Sequence, residues 1–265
     1  MPLVFVLIIA ACATVELALT GAALAGWPAV RLGAFAYGGF YPQMLDDWPG
    51  LFPGQRVTMF ATYGFLHAGL LHLTMNMLAL AQLAREMATV MAARAMLLIY
   101  AVSQVGAALA QAALAPEGPV MVGASGAIFG LAGALIARNF VVVVRRRLPM
   151  GPLVRSAATL VVLNVALALL VPQIAWQAHV GGAATGAVLG IAQAVLTRKG
   201  QGRRIAPAPP DDVRPAPYLG AQMVFSRAQF RSHSLDTIWS AALACRTKSS
   251  ACTPALSSTG CASAE

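Results

Sequence analysis

Residues 121–133 read M-V-G-A-S-G-A-I-F-G-L-A-G, with Ser125 placed between Gly123 and Gly126. Small residues let two helices approach closely, so a helix that begins here can bring Ser125 against a neighbouring helix. The stretch alone leaves two interpretations open: a nucleophilic serine, or a small polar residue that bonds to its own helix backbone. The remainder of the chain must decide between them.

The composition is that of a membrane protein. The chain has 265 residues, 58% hydrophobic and 10% charged, and its mean hydropathy is +0.72. The net charge of +9 does not indicate a nucleic-acid partner, because the arginines lie between apolar runs and form no face with interleaved aromatics. We therefore expect the lipid bilayer as a partner and no nucleic acid. The four cysteines have no CxxC or Cys/His ligand spacing, so we expect no disulfide framework, no metal and no cofactor.

Six apolar runs predict an all-α polytopic membrane protein, a bundle of six transmembrane helices. Each run has about 19 residues or more, enough to cross a hydrocarbon core of about 30 Å. The runs cover residues 3–27, 66–84, 95–114, 124–144, 153–171 and 174–196. Residues 28–55, rich in Gly, Pro and aromatics, predict a long first loop that lies partly in the membrane interface.

The sequence changes character after the sixth run, which divides the chain into two parts. Residues 1–198 are predicted to form the six-span membrane domain, and residues 199–265 a basic, Pro-rich cytoplasmic tail. The composition of this tail favours disorder over the alternative, a short amphipathic helix over residues 235–243.

The arginines predict the orientation. They fall in alternate loops and in the tail, whereas the loops near Glu117 and Pro172 carry no Lys or Arg. By the positive-inside rule both termini are cytoplasmic, and the start of the fourth span faces outward. The excess of Arg over Lys indicates a GC-rich bacterial genome, and hence a bacterial cytoplasmic membrane.

Glu16 is an acid within the first span. It could serve as a proton or hydrogen-bond site, but a buried carboxyl group bonded to a neighbouring helix is the more common situation.

Five polar side chains fall at the outer ends of the spans. They are His67, His72, Asn76, Ser125 and His179. Polar groups in hydrocarbon cost several kcal/mol unless they pair or line a wet cavity. Their common depth therefore predicts a shared, water-accessible pocket.

Glycine stripes on spans four and six predict which helices pack together. The stripes are Gly126, Gly130 and Gly133 on span four, and Gly182, Gly186 and Gly190 on span six. If these faces pack against each other, Ser125 and His179 come within hydrogen-bonding distance. A Ser–His pair suffices for nucleophilic acyl chemistry, and because no Asp or Glu lies near, we predict a dyad. The amide groups at the start of span four, with His72 and Asn76, are the available donors for an oxyanion.

Three segments resemble the rhomboid family of intramembrane serine proteases, over about residues 1–198. They are residues 67–77 (H-A-G-L-L-H-L-T-M-N-M), 123–130 (G-A-S-G-A-I-F-G) and 178–186 (A-H-V-G-G-A-A-T-G). The resemblance implies that Ser125 is the nucleophile and His179 its general base. It also implies that His72, Asn76, Gly123 and the backbone amide of Ser125 stabilise the oxyanion. The implied substrate is a single-pass transmembrane protein, cut near the outer end of its helix where that helix can unwind.

The chain departs from the family pattern at two places. Gln55 and Arg56 resemble the first-loop element of the family, but its tryptophan is replaced or absent. Ala84 and Ala88 stand where the family commonly has a glycine and a glutamate, with Glu86 between them. We expect reduced stability or altered bonding at that cytoplasmic end, with the dyad intact.

A second function stays open: a non-catalytic relative that binds or chaperones client transmembrane helices. Such relatives usually lack the serine or the histidine, and this chain has both, which favours the protease. The oligomeric state and the natural substrate do not follow from the sequence.

Overall fold

The computed structural model describes residues 1–45, 49–170 and 174–201, and its regular elements are helices apart from one isolated β-bridge. Almost all of the predicted tail, including residues 235–243, lies outside the described residues. The division at residue 198 therefore stays a prediction.

Eight α-helices make up the described part of the chain. They are α1 (Leu3–Leu24), α2 (Ala29–Gly38), α3 (Gln55–Thr62), α4 (Leu70–Ala88), α5 (Ala93–Leu114), α6 (Ser125–Arg146), α7 (Gly151–Leu170) and α8 (Trp176–Gln201). Two short 3-10 helices, Pro42–Leu45 and Tyr63–Phe65, complete the set.

Four of the described helices, α1, α5, α6 and α8, are each long and apolar enough to cross a bilayer. Helix α3 with its 3-10 extension, together with α4, forms a pair bent by 84° that can serve as a fifth span. The apolar part of α7, Gly151–Ala166, is shorter. The predicted all-α membrane bundle is confirmed, whereas the count of six spans stays a prediction.

The predicted first loop contains more helix than the sequence suggested. Residues 28–55 were expected to be a loop, yet they include the ten residues of α2 and a 3-10 helix. The second span also begins later than predicted, at Leu70, because residues 66–69 turn the chain between two helices. Gly69 adopts φ 104° there, a conformation that side-chain-bearing residues avoid.

The predicted packing of the glycine stripes on α6 and α8 is confirmed. A Cβ atom added to Gly182 would overlap the backbone of Gly126, and one added to Gly186 would overlap the backbone of Gly130. One added to Gly190 would overlap the backbone of Ala134. The two helices thus lie backbone against backbone, and this contact fixes the start of α8 beside the start of α6.

A second layer of the core joins α1, α4 and α5 to α6. Its largest fully buried side chains include Phe5, Leu80, Met96 and Leu131. Apolar packing between helices in a membrane depends on close contact rather than on the exclusion of water. This cluster holds α4 against α6.

Gln55 anchors the first loop despite the departure from the family pattern. Its fully buried side chain donates from Nε2 to the carbonyl oxygen of Ala36 at 2.7 Å. Its Oε1 accepts from the amide of Leu51, also at 2.7 Å. One glutamine therefore joins α2, α3 and the segment between them.

At the end of α4, Glu86 accepts a hydrogen bond of 2.8 Å from Gln82 in the same helix. Ala84, at the expected glycine position, is fully buried. The bonding here is local to α4, consistent with the altered bonding expected at this end.

Candidate active site

Ser125 is the first residue of α6, at the end of the glycine-lined contact with α8. The first four amide groups of a helix have no acceptor within the helix, so the N–H of Ser125 is available to an outside oxygen. The positive end of the helix dipole favours negative charge at this point.

His179 lies in the first turn of α8, directly opposite Ser125. Its Nε2 is 2.9 Å from Ser125 Oγ, and its side chain is almost fully buried, with 3% exposed. The structure therefore brings together the serine and the histidine that the glycine stripes predicted to meet.

Two further residues hold the His179 ring, and neither was predicted. Phe129 stacks on the ring with centroids 4.2 Å apart and an interplanar angle of 8°. Asn164, on α7, has its Oδ1 3.0 Å from His179 Nδ1. Both were detectable in principle: Phe129 lies one helical turn after Ser125, and Asn164 is the only polar residue in the apolar run 160–170.

The amide of Ala68 donates to His72 Nδ1 at 3.2 Å. A neutral imidazole that accepts at Nδ1 carries its proton at Nε2, so the free edge of His72 is a hydrogen-bond donor. That edge points to Gly123, because a methyl group on Gly123 would lie 3.0 Å from His72 Nε2 and 3.9 Å from Ser125 Oγ. His72 thus places a donor beside the serine.

Gly123 contributes space rather than a donor. Its N–H already donates to the carbonyl oxygen of Tyr63 at 2.9 Å, so this amide is occupied, and the oxyanion-stabilising role of Gly123 stays a prediction. Its φ of 121° and the nearby His72 ring both require a residue without a side chain. Upstream, Met121 and Phe40 exchange two backbone hydrogen bonds of 2.9 Å, which fasten this loop to the first-loop segment.

Asn76 is buried with 6% of its surface exposed, and its Nδ2 donates to the carbonyl oxygen of His72 at 2.9 Å. Its Oδ1 has no partner among the described residues. Leu73 and Met77, near it in α4, belong to the same buried cluster as Ala124 and Ala127 at the start of α6.

His67 is fully buried, with its ring centroid 5.3 Å from that of His72. Its carbonyl oxygen accepts a hydrogen bond from Arg31. His67 is one of the five polar residues predicted to share a pocket. It contacts the site indirectly, through the ring of His72.

The arrangement has the parts that acyl transfer requires. Ser125 Oγ can pass its proton to Nε2 of His179, and the N–H of Ser125 and Nε2 of His72 lie nearby as donors. Asn164 is a third polar residue in contact with the predicted dyad, through His179. The sequence interpretation missed it because it considered only Asp and Glu as a third member.

Comparison with known proteins identifies the family. The Rhomboid domain family model matches residues 54–195. RHOMBOID-like protein 4 of Arabidopsis thaliana is 33% identical over 127 residues, covering 48% of this chain and 31% of that protein. RHOMBOID-like protein 6, mitochondrial, of the same plant is 31% identical over 144 residues, covering 54% of this chain and 46% of that protein. The chain thus spans less than half the length of these curated relatives. With a matched domain over more than half of its residues and several apolar helices long enough to cross a bilayer, this multi-pass membrane protein belongs to the rhomboid family.

Proposed function

We propose that the protein is an intramembrane serine endopeptidase that hydrolyses a peptide bond near the outer end of a substrate transmembrane helix. The observation that carries this proposal is the 2.9 Å contact between Ser125 Oγ and His179 Nε2, in a helix pair that buries His179 and leaves Ser125 half-buried. A serine and a histidine at this distance form a nucleophile and its general base.

In the proposed reaction Ser125 Oγ attacks the carbonyl carbon of the scissile bond while its proton moves to His179 Nε2. The C–N bond then breaks, and the imidazolium returns the proton to the leaving amine. Water attacks the remaining acyl ester, again with His179 as base, and releases the carboxylate and the free serine. No metal or cofactor takes part in these steps.

Three groups supply donors for the negative oxygen of the tetrahedral intermediates: the Ser125 amide, Nε2 of His72 and the side-chain amide of Asn76. The proton of His72 is at Nε2 because Nδ1 accepts from Ala68. Fixed donors in a site with little water stabilise an oxyanion without reorganising during the reaction. One N–H of the Asn76 side chain donates to the carbonyl oxygen of His72, and its second N–H is the one proposed for the oxyanion.

A single-pass transmembrane protein is the proposed substrate class. A peptide bond within a helix is shielded by backbone hydrogen bonds, so only segments that unwind at low cost can reach Ser125. A cavity of about 150 Å³ lies between residues 119–121, before Ser125, and residues 174–177, before His179. It is lined by the segments that lead into α6 and α8 and not by Ser125 or His179 themselves.

We propose that the site opens to the outer side of a bacterial cytoplasmic membrane, with both termini cytoplasmic. Ser125 lies at one end of α6, and Arg145 and Arg146 lie in its last turn at the other. Basic residues favour the cytoplasmic side, which leaves the serine end outward.

The test combines a serine-reactive fluorophosphonate with cleavage of a reconstituted single-helix substrate. We expect labelling of the wild type at Ser125, and loss of labelling and cleavage by about 10³-fold or more in Ser125→Ala and His179→Ala. Thr74→Ala is the matched control, because its exposed hydroxyl bonds only to the carbonyl of Leu70 in its own helix among the contacts described for it.

A folded wild-type protein that neither reacts with the fluorophosphonate nor cleaves the substrate would contradict the proposal. If it nevertheless retained the substrate helix in a co-purification, it would act as a non-catalytic module that binds client helices.

A further inference from the structure

Asn164 lies in the apolar run of α7 and has one polar neighbour described for it, His179. Residues Val161, Val162, Leu163 and Val165 around it are exposed on the surface of the helix, whereas Asn164 is half-buried. An amide side chain in hydrocarbon is costly unless it is paired, so its contact with His179 is what makes the residue tolerable there.

The contact determines which nitrogen of His179 carries the proton. When Asn164 Oδ1 accepts from Nδ1–H at 3.0 Å, the neutral ring keeps a lone pair at Nε2, where Ser125 Oγ lies 2.9 Å away. The opposite tautomer would place a proton at Nε2, and the ring could not remove the proton of the serine. Only one of the two tautomers is therefore competent as a base.

The ring has three neighbours in three directions. Phe129 covers one face at 4.2 Å, Ser125 lies at one nitrogen and Asn164 at the other. Stacking permits the ring to turn within its own plane, but the two hydrogen bonds at opposite edges do not. Asn164 thus fixes the orientation of the ring as well as its tautomer.

We propose that Asn164 is a positioning residue that holds His179 in the Nδ1–H tautomer, so that the pair of Ser125 and His179 works as a Ser-His-Asn triad. This role rests on the proposed protease function. Asn164 does not touch the reacting atoms and acts only through His179. It is supplied by α7, whereas the serine and histidine come from α6 and α8.

The first measurement is independent of activity: nitrogen-15 NMR of the histidine side chains in the full-length protein in detergent micelles. The chain has four histidines, so His179→Ala assigns the signal directly. We expect a protonated Nδ1 and an unprotonated Nε2 for His179 in the wild type, the same pattern in Asn164→Asp, and a mixture of tautomers in Asn164→Leu. A protonated Nε2 in the wild type, or an unchanged pattern in Asn164→Leu, would overturn the proposal.

The second measurement is the rate of fluorophosphonate labelling and of cleavage. We expect Asn164→Leu to lower kcat by about three- to tenfold, the worth of one neutral hydrogen bond, with KM unchanged. Asn164→Asp, which can only accept, should restore the rate and move the pH for half-maximal labelling upward. A rate and pH profile in Asn164→Leu equal to those of the wild type would refute the role.

Thr159→Ala on the same helix serves as the control, since its hydroxyl bonds to the carbonyl of Arg155 within α7. Its rate and tautomer pattern should match those of the wild type. The two proposals can fail separately. If the tautomer of His179 depends on Asn164 but the wild type does not react, the positioning role is supported and the protease function is contradicted.

Discussion

At the scale of single residues, the site depends on how the ring of His179 is held. Burial removes water as a competing partner, so the ring takes its bonds from the protein. Ser125 and Asn164 fix its edges, and Phe129 fixes the plane in which it lies. Ser125 and Phe129 belong to α6 and Asn164 to α7, and the loss of any one of these contacts would let the ring move in one direction.

Replacing Phe129 by Leu keeps an apolar side chain of similar burial and removes the stacked ring. Aromatic stacking contributes about 0.5–1.5 kcal/mol, so we expect cleavage to fall by about two- to tenfold. Phe129→Tyr retains the ring and is the matched control. Rates of labelling and cleavage for the two variants are the measurement. Equal rates for Phe129→Leu and the wild type would mean that the ring plane is fixed without Phe129.

At the scale of helices, the contact between α6 and α8 positions Ser125 next to His179. Gly182 and Gly186 each lie against a glycine of α6 so closely that no side-chain atom fits between the backbones. This approach sets the distance between Ser125 and His179, because both residues lie at the same end of the pair. A substitution at one of these glycines should therefore change the distance between Ser125 and His179.

Gly186→Ala tests this contact, because its added methyl group would meet the backbone of Gly130 and not a flexible side chain. We expect a loss of about 1–3 kcal/mol in the free energy of unfolding, as overpacked cores show. The control is Gly21→Ala in α1, where no atom lies within 4 Å of the new Cβ and no loss is expected. Unfolding in detergent followed by circular dichroism is the measurement. If the two variants were equally stable, α6 and α8 would be able to accommodate the added methyl group without a loss of free energy of unfolding, which would contradict this account.

The sequence predicted this helix pair because each stripe is a regular pattern within one helix. The spacing of four between Gly182, Gly186 and Gly190 defines a face without knowledge of the partner. The contact between Asn164 and His179 was not predictable in this way. It depends on the rotation of α7 about its axis, and α7 has no small-residue stripe that would specify that rotation. Helix α2 escaped prediction because its ten residues are too few to show a spanning pattern.

At the scale of the whole molecule, one ion pair joins the first loop to the first span. Glu16, fully buried in α1, is 2.8 Å from Arg31 of α2, which also donates to the carbonyl oxygen of His67. The hydrogen bond to Glu16 raises the pKa of Arg31, so the guanidinium stays charged. Thr20 donates to Glu16 as well. The sequence interpretation of Glu16 as a buried carboxyl bonded to a neighbouring helix is confirmed, and its partner is Arg31.

Arg31→Ala would leave the Glu16 carboxylate buried without its countercharge. Removing one partner of a buried ion pair costs about 3–5 kcal/mol, so we expect a loss of that size in the free energy of unfolding. The double variant Glu16→Gln with Arg31→Ala should recover part of it, because a neutral amide is cheaper to bury. Chemical denaturation of both variants in detergent is the measurement. A double variant less stable than Arg31→Ala would contradict this account.

The chain turn at Gly123 also constrains how this protein can be redesigned. A library meant to alter the proposed cleavage preference would vary the residues around the cavity. Position 123 has to stay fixed, because any other residue meets two independent obstacles: a φ of 121° and the ring of His72. A residue with no functional group of its own thereby limits such a library as strictly as Ser125, the proposed nucleophile two positions later.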